Sequence, residues 1–311
     1  MSVGVGLVGF GAAGRQHAAA LEGHPAARTV AVLELDPAVD VAGLPRAGSW
    51  RELLADPRIG LVSLCLPPGH RAELAVQALE AGKAVLLEKP PARSATEIDL
   101  LSSASRRAGR PVGVMLQHRM RLPAAALAAN WAVPAVTAVL EVSRFRPPAH
   151  YRRAGWRSDP AEAFGGIAAH LGVHYLDLAC QLLGHPEKVR LAPSRELAPG
   201  IDSRVTGHIE FRAGATLAFT VTAESAVRSE RLQILGPDGG LCIADGMVTT
   251  QIGDTEQTLP TVPTPELRRM VYQEMAEAMT TGRPPLRCHL DGARPVTEIL
   301  TFVARELAVA S

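Results

Sequence analysis

Lysine is nearly missing from this chain: three residues, at positions 83, 89 and 188, stand against twenty-nine arginines among 311 residues. Such a bias fits a GC-rich coding sequence, and it gives weight to a lysine retained inside a motif. Cysteine is also sparse. Cys65, Cys180, Cys242 and Cys288 lie far apart without a C-x-x-C pair, which argues against a disulfide framework and reads as reduced, mostly packing thiols. Charge of one sign is not in excess, and the net charge of +1 gives no reason to expect a nucleic-acid or anionic-membrane partner. No apolar run reaches transmembrane length, and the first residues enter an apolar run without a basic region or cleavage site. The expectation from these absences is a cytoplasmic protein. With 47% hydrophobic residues the chain can build sizeable cores, and its length allows two domains.

The most informative feature is present at the start. Val3, Val5, Leu7 and Val8 form a short apolar run, broken by Gly9-Phe10-Gly11-Ala12-Ala13-Gly14, and Arg15 to Leu21 then reads as helix. Strand, glycine turn and helix are the context in which G-x-G-x-x-G acquires meaning. Gly9 permits the tight turn, Gly11 leaves room for backbone to approach a pyrophosphate, and Gly14 lets helix and strand pack closely. Glu34, twenty residues past Gly14 at the end of the run Val30 to Leu33, is placed to accept both ribose hydroxyls of an adenosine. The bland alternative is a glycine-rich turn that binds nothing. Strand, helix and acid together favour a dinucleotide, and the carboxylate favours NAD over NADP.

The pattern continues as buried strands at Leu61–Leu66, Ala84–Glu88 and Val112–Leu116, separated by helical segments with capping boxes at Ser49–Glu52 and Ser94–Glu97. This predicts a doubly wound parallel sheet whose carboxyl rim gathers Gly9, Glu34, Pro67, Glu88 and Gln117. Beyond residue 120 come a strand at Val136–Phe145, an arginine-rich loop, a helix over Ile167–Leu183, and short strands between hairpin signals at Ala213-Gly214, Pro237 to Gly240, Asp245-Gly246 and Gly253-Asp254. Helical patterns over Pro265–Thr281 and Asp291–Ala310 end the chain. The expected organisation is a Rossmann domain over 1–120, an α+β domain with a mainly antiparallel open sheet over 121–290, and a terminal helix over 291–311 packing back on the first domain.

Two clusters suggest chemistry. Glu88-Lys89-Pro90 follows a strand on the cofactor rim, where a partly desolvated lysine is suited to relay a proton from a hydroxyl. Its neighbour Glu88 opposes part of that tuning, and the plain alternative is a surface lysine after an edge turn. The second cluster is Gly165-Gly166 followed by His170, His174 and Asp177, spaced to share one helical face. Histidine titrates near neutrality and serves an alcohol–ketone couple as acid and base. A glycine pair beside it allows close approach.

On these segments, together with His17, Pro67 to His70, Gly82-Lys83, Gln117 to Arg119 and Trp156-Arg157, the chain resembles the glucose–fructose oxidoreductase/inositol dehydrogenase family, Gfo/Idh/MocA, over nearly its whole length. The resemblance implies reversible hydride transfer between NAD(P) and a sugar, sugar nucleotide or cyclitol, in a homodimer or homotetramer. It gives Lys89 the role of catalytic lysine and His174 that of acid/base, with His170 beside them. Leu66, Pro67, His70, Glu88, Lys89, Gln117, Trp156 and Arg157 join the glycine turn and Glu34 as cofactor contacts. Lys89, Arg119, Tyr151, Arg152, Arg153, His170 and His174 face substrate. The chain departs from the family in having Ile167 where a third glycine is frequent and His170 where an aspartate is common.

Two other functions fit parts of the pattern. His170 and His174, four apart, match half of a zinc site, but Leu171 replaces the glutamate of H-E-x-x-H and no third ligand is evident, so no metal is expected. A non-catalytic NAD-sensing regulator needs neither Lys89 nor His174. Arg144, Arg146, Arg152, Arg153 and Arg157, with Tyr151 and Trp156 among them, read either as a solvated basic loop or as a clamp for an acidic or nucleotide-linked sugar.

Overall fold

The apolar run Val3–Val8 folds as β1, and strand then alternates with helix: α1 (Ala12–Leu21), β2 (Ala27–Leu33), α2 (Trp50–Ala55), β3 (Leu61–Leu64), α3 (Arg71–Glu80), β4 (Ala84–Leu87), α4 (Ala95–Ala108) and β5 (Val112–Val114). This computed structural model describes residues 2–310 except 153–155, 157, 158, 160, 161 and 163. The five strands are all parallel, in the order β2-β1-β3-β4-β5. Val5, Leu7, Val62, Leu64, Val85 and Leu87 are inaccessible to solvent, as strands covered on both faces require. β2 lies on one side of β1 and β3 on the other, so the strand order reverses there and opens a crevice at the carboxyl ends. Ser49 and Ser94 start α2 and α4 by accepting from the Glu52 and Glu97 amides at 3.1 and 3.2 Å.

Residues from Arg121 onward build a second unit. Short helices α5 (Ala124–Ala128) and α6 (Pro148–Arg152) flank β6 (Thr137–Ser143), and a π-helical turn at Ala168–Gly172 runs into α7 (Val173–Leu183). The remaining strands are β7 (Pro186–Leu191), β8 (Arg195–Ala198), β9 (Ile201–Phe211), β10 (Thr216–Thr222), β11 (Ser229–Gly236), β12 (Gly239–Ala244), β13 (Met247–Ile252) and β14 (Thr255–Pro260). Their sheet runs β14-β13-β12-β11-β6-β10-β9-β7, with β8 beside β9. Every pair is antiparallel except β10 with β6. The four glycine-containing turn signals sit at the hairpins β9–β10, β11–β12, β12–β13 and β13–β14.

The end of the chain differs from the sequence expectation. Helix α8 (Thr264–Thr281) and the residues to Ala293 cluster with the first unit, giving Met1–Met120 plus Pro263–Ala293. The last helix, α9 (Arg294–Ala310), clusters with the second, giving Arg121–Val262 plus Arg294–Ser311. The reason is packing rather than propensity: α8 lies on α1 and β2, burying Leu267, Val271, Tyr272 and Met275, while α9 lies on α7 and β7. Amphipathic spacing announces a helix but does not name the surface that receives it.

Candidate active site

In the first unit the glycine turn has the form its sequence requires. Gly9 adopts φ +86°, a conformation that disfavours any side chain. A Cβ on Gly14 would lie 2.1 Å from the Gly9 carbonyl oxygen, so α1 meets the turn too closely for any other residue. At Gly11 an added Cβ meets no protein atom within 4 Å, so protein packing does not account for this glycine. The N-terminus of α1 begins there with no side-chain cap. The amides of Ala12, Ala13 and Gly14 thus belong to an uncapped first turn that suits a pyrophosphate. The residues present therefore fit a dinucleotide.

Glu34 stands at the tip of β2. Its Oε2 accepts from the Phe10 amide at 2.7 Å and its Oε1 from the Asp36 amide at 3.0 Å, tying the acid to the glycine turn. The nearby guanidinium of Arg46 donates to the carbonyls of Glu34, Asp36 and Val39 at 2.8, 3.2 and 2.5 Å. Arg15 lies over the Phe10 ring, 5.2 Å from its centre, and donates to the Asp40 carbonyl.

The turn after β4 carries Lys89. Arg71, almost wholly buried, donates to the carbonyl of Leu66 at 2.6 Å, to that of Glu88 at 2.6 Å, and to that of Pro90. Glu88 is 7% exposed and its carboxylate is engaged within the protein: Oε1 faces His17 Nε2 at 3.0 Å and Oε2 accepts the Lys89 amide at 3.0 Å. Both oxygens thus have a protein partner, as both oxygens of Glu34 do, and the side chain anchors the turn at the rim. Burial works against the Glu88 charge, but His17, Lys89 and Arg71 overcome it and hold the carboxyl at about 2. Leu66 and Pro67 are half-buried after β3, His70 is exposed, and Gln117 is buried after β5. Arg119, expected at substrate, is 2% exposed and donates to the carbonyls of Arg287 and His289 at 2.8 and 3.2 Å. Its guanidinium braces the segment after α8.

The second unit holds the histidine helix. Gly165 and Gly166 admit Asp202 of β9: a Cβ on Gly166 would fall 2.0 Å from the Asp202 carbonyl oxygen. The fully buried Asp202 carboxylate accepts from the amides of Gly166 and Ala168 at 2.6 and 2.8 Å, capping the helical segment. The close approach that the glycine pair allows is therefore made by protein backbone. The expectation of one regular helix also changes. The Val173 amide reaches back five residues to the Ala168 carbonyl, so His170 rides a π turn and His174 begins α7. π turns inside helices recur at functional sites. Tyr151 stacks on His170 with ring centres 5.9 Å apart and 19° between planes, and Trp156 meets it edge-on at 5.8 Å. His174 is 7% exposed and Asp177 fully buried.

The arginine loop is divided. Arg144 forms an ion pair with Glu230, which also accepts from Tyr175 at 2.5 Å and pairs with Arg228 at 3.2 Å. Arg144 is thus held by a carboxylate and is withdrawn from the proposed anion clamp. Arg153 and Arg157 lie outside the described residues. Among the described residues no group of three or more His, Cys, Asp or Glu could hold a metal, so His170 and His174 gather no third ligand there. No described helix is long and apolar enough to cross a membrane.

Sequence reasoning missed Asp202, Glu230, Tyr272 and the bracing role of Arg71. Asp202 gave no signal, since it falls in register with the polar residues Arg204, Thr206, His208 and Glu210 of an alternating strand and is nonetheless fully buried. The others become visible only when distant segments meet.

A parallel sheet with an uncapped glycine turn, joined to an α+β unit bearing a paired-histidine helix, defines a dinucleotide-binding oxidoreductase of two units. The chain belongs to the Gfo/Idh/MocA family: residues 3–116 match its oxidoreductase domain, described as an NAD-binding Rossmann fold, and residues 134–242 its C-terminal domain. It is an NAD(P)-binding oxidoreductase. Among its relatives is a D-xylose 1-dehydrogenase (NADP+) of Haloferax volcanii, 29% identical, with 88% of this chain and 84% of that protein covered. Another is a levoglucosan dehydrogenase of Pseudarthrobacter phenanthrenivorans, 26% identical over 77% and 73% of the two chains. In fold the chain is similar to a levoglucosan dehydrogenase solved with NADH and levoglucosan, with a TM-score of 0.85 at 20% identity, covering 100% of this chain and 98% of that one.

Proposed function

We propose that the protein interconverts a secondary hydroxyl and a ketone on a sugar, sugar nucleotide or cyclitol, with Lys89 and His174 as its proton relay and NAD as its preferred cofactor. The observation that carries this reading is Lys89 on a braced turn at the carboxyl rim that also presents the glycine turn. Bound NAD(P) supplies the hydride acceptor or donor. The amides of the glycine turn and first turn of α1 hold its pyrophosphate and Glu34 its ribose, with Leu66, Pro67, His70, Gln117, Trp156 and Arg157 as further contacts. In oxidation the reacting hydroxyl gives up its one proton to the Lys89 and His174 relay as hydride leaves its carbon, and in reduction the relay returns that one proton to the alkoxide. His170 replaces a carboxylate with an imidazole held between two aromatic rings, so substrate hydroxyls meet a ring nitrogen there. The names of relatives that act on D-xylose and levoglucosan support a sugar-class substrate.

The homodimer or homotetramer expected of the family belongs to the same proposal. Turnover of NAD and NADP measured with pentoses, anhydrosugars, inositols and nucleotide-linked sugars tests it. Turnover with one of these that Lys89→Met abolishes is the expected result. Cofactor binding without turnover on any of them, unchanged by that substitution, would instead favour a sensor.

A further inference from the structure

Behind Lys89, inside the first unit, lies a buried polar chain that spans most of the sequence. Ser63 Oγ meets Tyr272 Oη at 2.9 Å, Tyr272 Oη meets His17 Nδ1 at 2.6 Å, and His17 Nε2 meets Glu88 Oε1 at 3.0 Å. The last link is Glu88 Oε2, which accepts the amide of Lys89 itself. His17, Tyr272 and Ser63 are inaccessible to solvent or nearly so. Polar groups withdrawn this completely carry a desolvation cost, so a closed chain of them marks a place where charge is being held.

We propose that the His17–Glu88 pair, secured from behind by Tyr272, is the positioning device of Lys89: it fixes the backbone that carries the lysine and balances the carboxylate lying beside it. This role rests on the assignment of Lys89 as proton carrier. The backbone part follows from geometry. Arg71 grips the carbonyls of Glu88 and Pro90, and Glu88 grips the Lys89 amide between them, so the turn is held on both sides while the lysine side chain stays half-buried rather than enclosed.

The charge part follows from what surrounds the imidazole. From α8 it faces Tyr272, with Arg268 close enough to interact with Glu88, Cys65 and Tyr272. From the end of β3 it faces Cys65, and from the end of β4 Glu88, which Arg71 and Lys89 also approach. His24 touches the far edge of the Tyr272 ring. Burial works against a charge on His17, yet Cys65, Tyr272 and Glu88 together raise its proton affinity well above the ordinary imidazole range. As an imidazolium, His17 donates through Nδ1 to Tyr272 and through Nε2 to Glu88, and the phenol donates to Ser63. A Glu88 carboxylate so neutralised adds little to the stabilisation of the neighbouring ammonium. Uncompensated, it would hold Lys89 protonated and unable to accept a proton.

The lysine scarcity makes a direct test practical. With lysine labelled at its ε-carbon the whole protein gives three signals, and Lys89→Met identifies one of them. His17→Asn retains a donor toward Glu88 but removes the charge, and should raise the midpoint of Lys89 titration by roughly half to one pH unit. Glu88→Gln removes the carboxylate and should lower it by a similar amount. Tyr272→Phe keeps the ring and should move it upward by less, so the question stays open to test where His17→Asn does not fold. In the oxidation direction, where Lys89 accepts the proton, the ascending acid-side limb of the kcat profile should follow the same order. Opposite displacements from the two ends of one pair are what a merely structural contact does not produce. Displacements in the same direction, or none in folded variants, would overturn the proposal. Full turnover in Lys89→Met alongside the opposite displacements would remove the relay while leaving the charge balance standing.

Discussion

The rim of the first unit and the histidine helix of the second solve the same problem by different means. On the proposed relay, both must present a proton-handling side chain from backbone that does not yield. At the rim, the turn bearing Lys89 is held by side chains aimed at its own amide and carbonyls, and most of the machinery lies within the first ninety residues of sequence. Among the described residues of the second unit no such local clamp is found. The helix bearing His170 and His174 is seated by Asp202, thirty-four and thirty-six residues from the amides it caps, and by glycines that admit the β9 backbone. The comparison teaches that the lysine turn is gripped at its own amide and carbonyls, whereas the histidine helix is held at the amides before and at its start; both grips depend on residues distant in sequence.

Substitutions should separate the two. The largest effect belongs to the proposed relay: Lys89→Ala and His174→Ala should each lower kcat by ~10²–10⁴ while leaving NAD binding almost unchanged, and the double variant should be little worse than the poorer single one. Steady-state kinetics with cofactor titration reads this, and independent, multiplying losses would show that the two do not serve one step. Next comes the seat of the histidine helix. Gly166→Ala places a methyl against the Asp202 carbonyl and should cost ~1–3 kcal/mol in thermal or denaturant unfolding. Asp202→Ala, by orphaning two buried amides, should cost a similar ~1–3 kcal/mol. Either variant unfolding like the parent would mean that the helix is seated by something else.

Cofactor choice gives a smaller contrast confined to the first unit. Glu34 opposes a 2′-phosphate, and Arg46 beside it is occupied with backbone carbonyls, so NAD should bind about tenfold tighter than NADP, or ~1.4 kcal/mol. Fluorescence titration of both cofactors checks the value, and Glu34→Ala should narrow the gap. The smallest effect is the pH dependence of stability. Glu88 is held at about 2 against an ordinary 4.5, so its contribution is complete above about pH 4.5 and is lost as pH falls toward 2. His17 binds its proton more tightly in the folded state than the ordinary 6.5, so its contribution is complete below about 6.5 and is lost as pH rises beyond it. Tm should therefore be greatest between these limits and decline on the alkaline side. His17→Asn should flatten that decline, and an unchanged slope would show that the imidazole is neutral.

Much of the first unit was legible because its signals are local. A glycine turn between a buried strand and a helix, an acid at the tip of the second strand, and serine caps before helices each act within a few residues. The carboxyl rim followed from buried strands alternating with helices, which makes the strands parallel. Glu88 was legible as a rim residue and Arg119 as a substrate contact implied by the resemblance, but neither as a brace, since their partners His17 and Arg287 are seventy-one and 168 residues away. In the second unit the hairpins were announced by their turn residues, while the π turn was not: a helical pattern of apolar residues reads alike whether the backbone closes four or five residues back. Glycine-166 invited the idea of a ligand's approach, and a strand approaches it. The destination of α8 and α9 was beyond reach for the same reason, because an amphipathic face does not specify its partner.

Tyr272 arrives at His17 from a helix that the chain reaches only after completing most of the second unit. The polypeptide passes between the two units three times, after Met120, Val262 and Ala293. Neither unit is therefore a continuous stretch that could be excised by a single cut. A fragment ending near residue 120 would carry the glycine turn, Glu34 and Lys89 but not the phenol that closes the polar chain, and it would leave the α8-facing side of α1 uncovered. Synthesis imposes the same order: as the ribosome extrudes the chain, the dinucleotide sheet waits for some 140 residues of another unit before its last helix emerges. Exchange of substrate specificity between relatives by recombination is accordingly best attempted with 121–262 as a cassette, joined at both ends to residues that remain with the first unit.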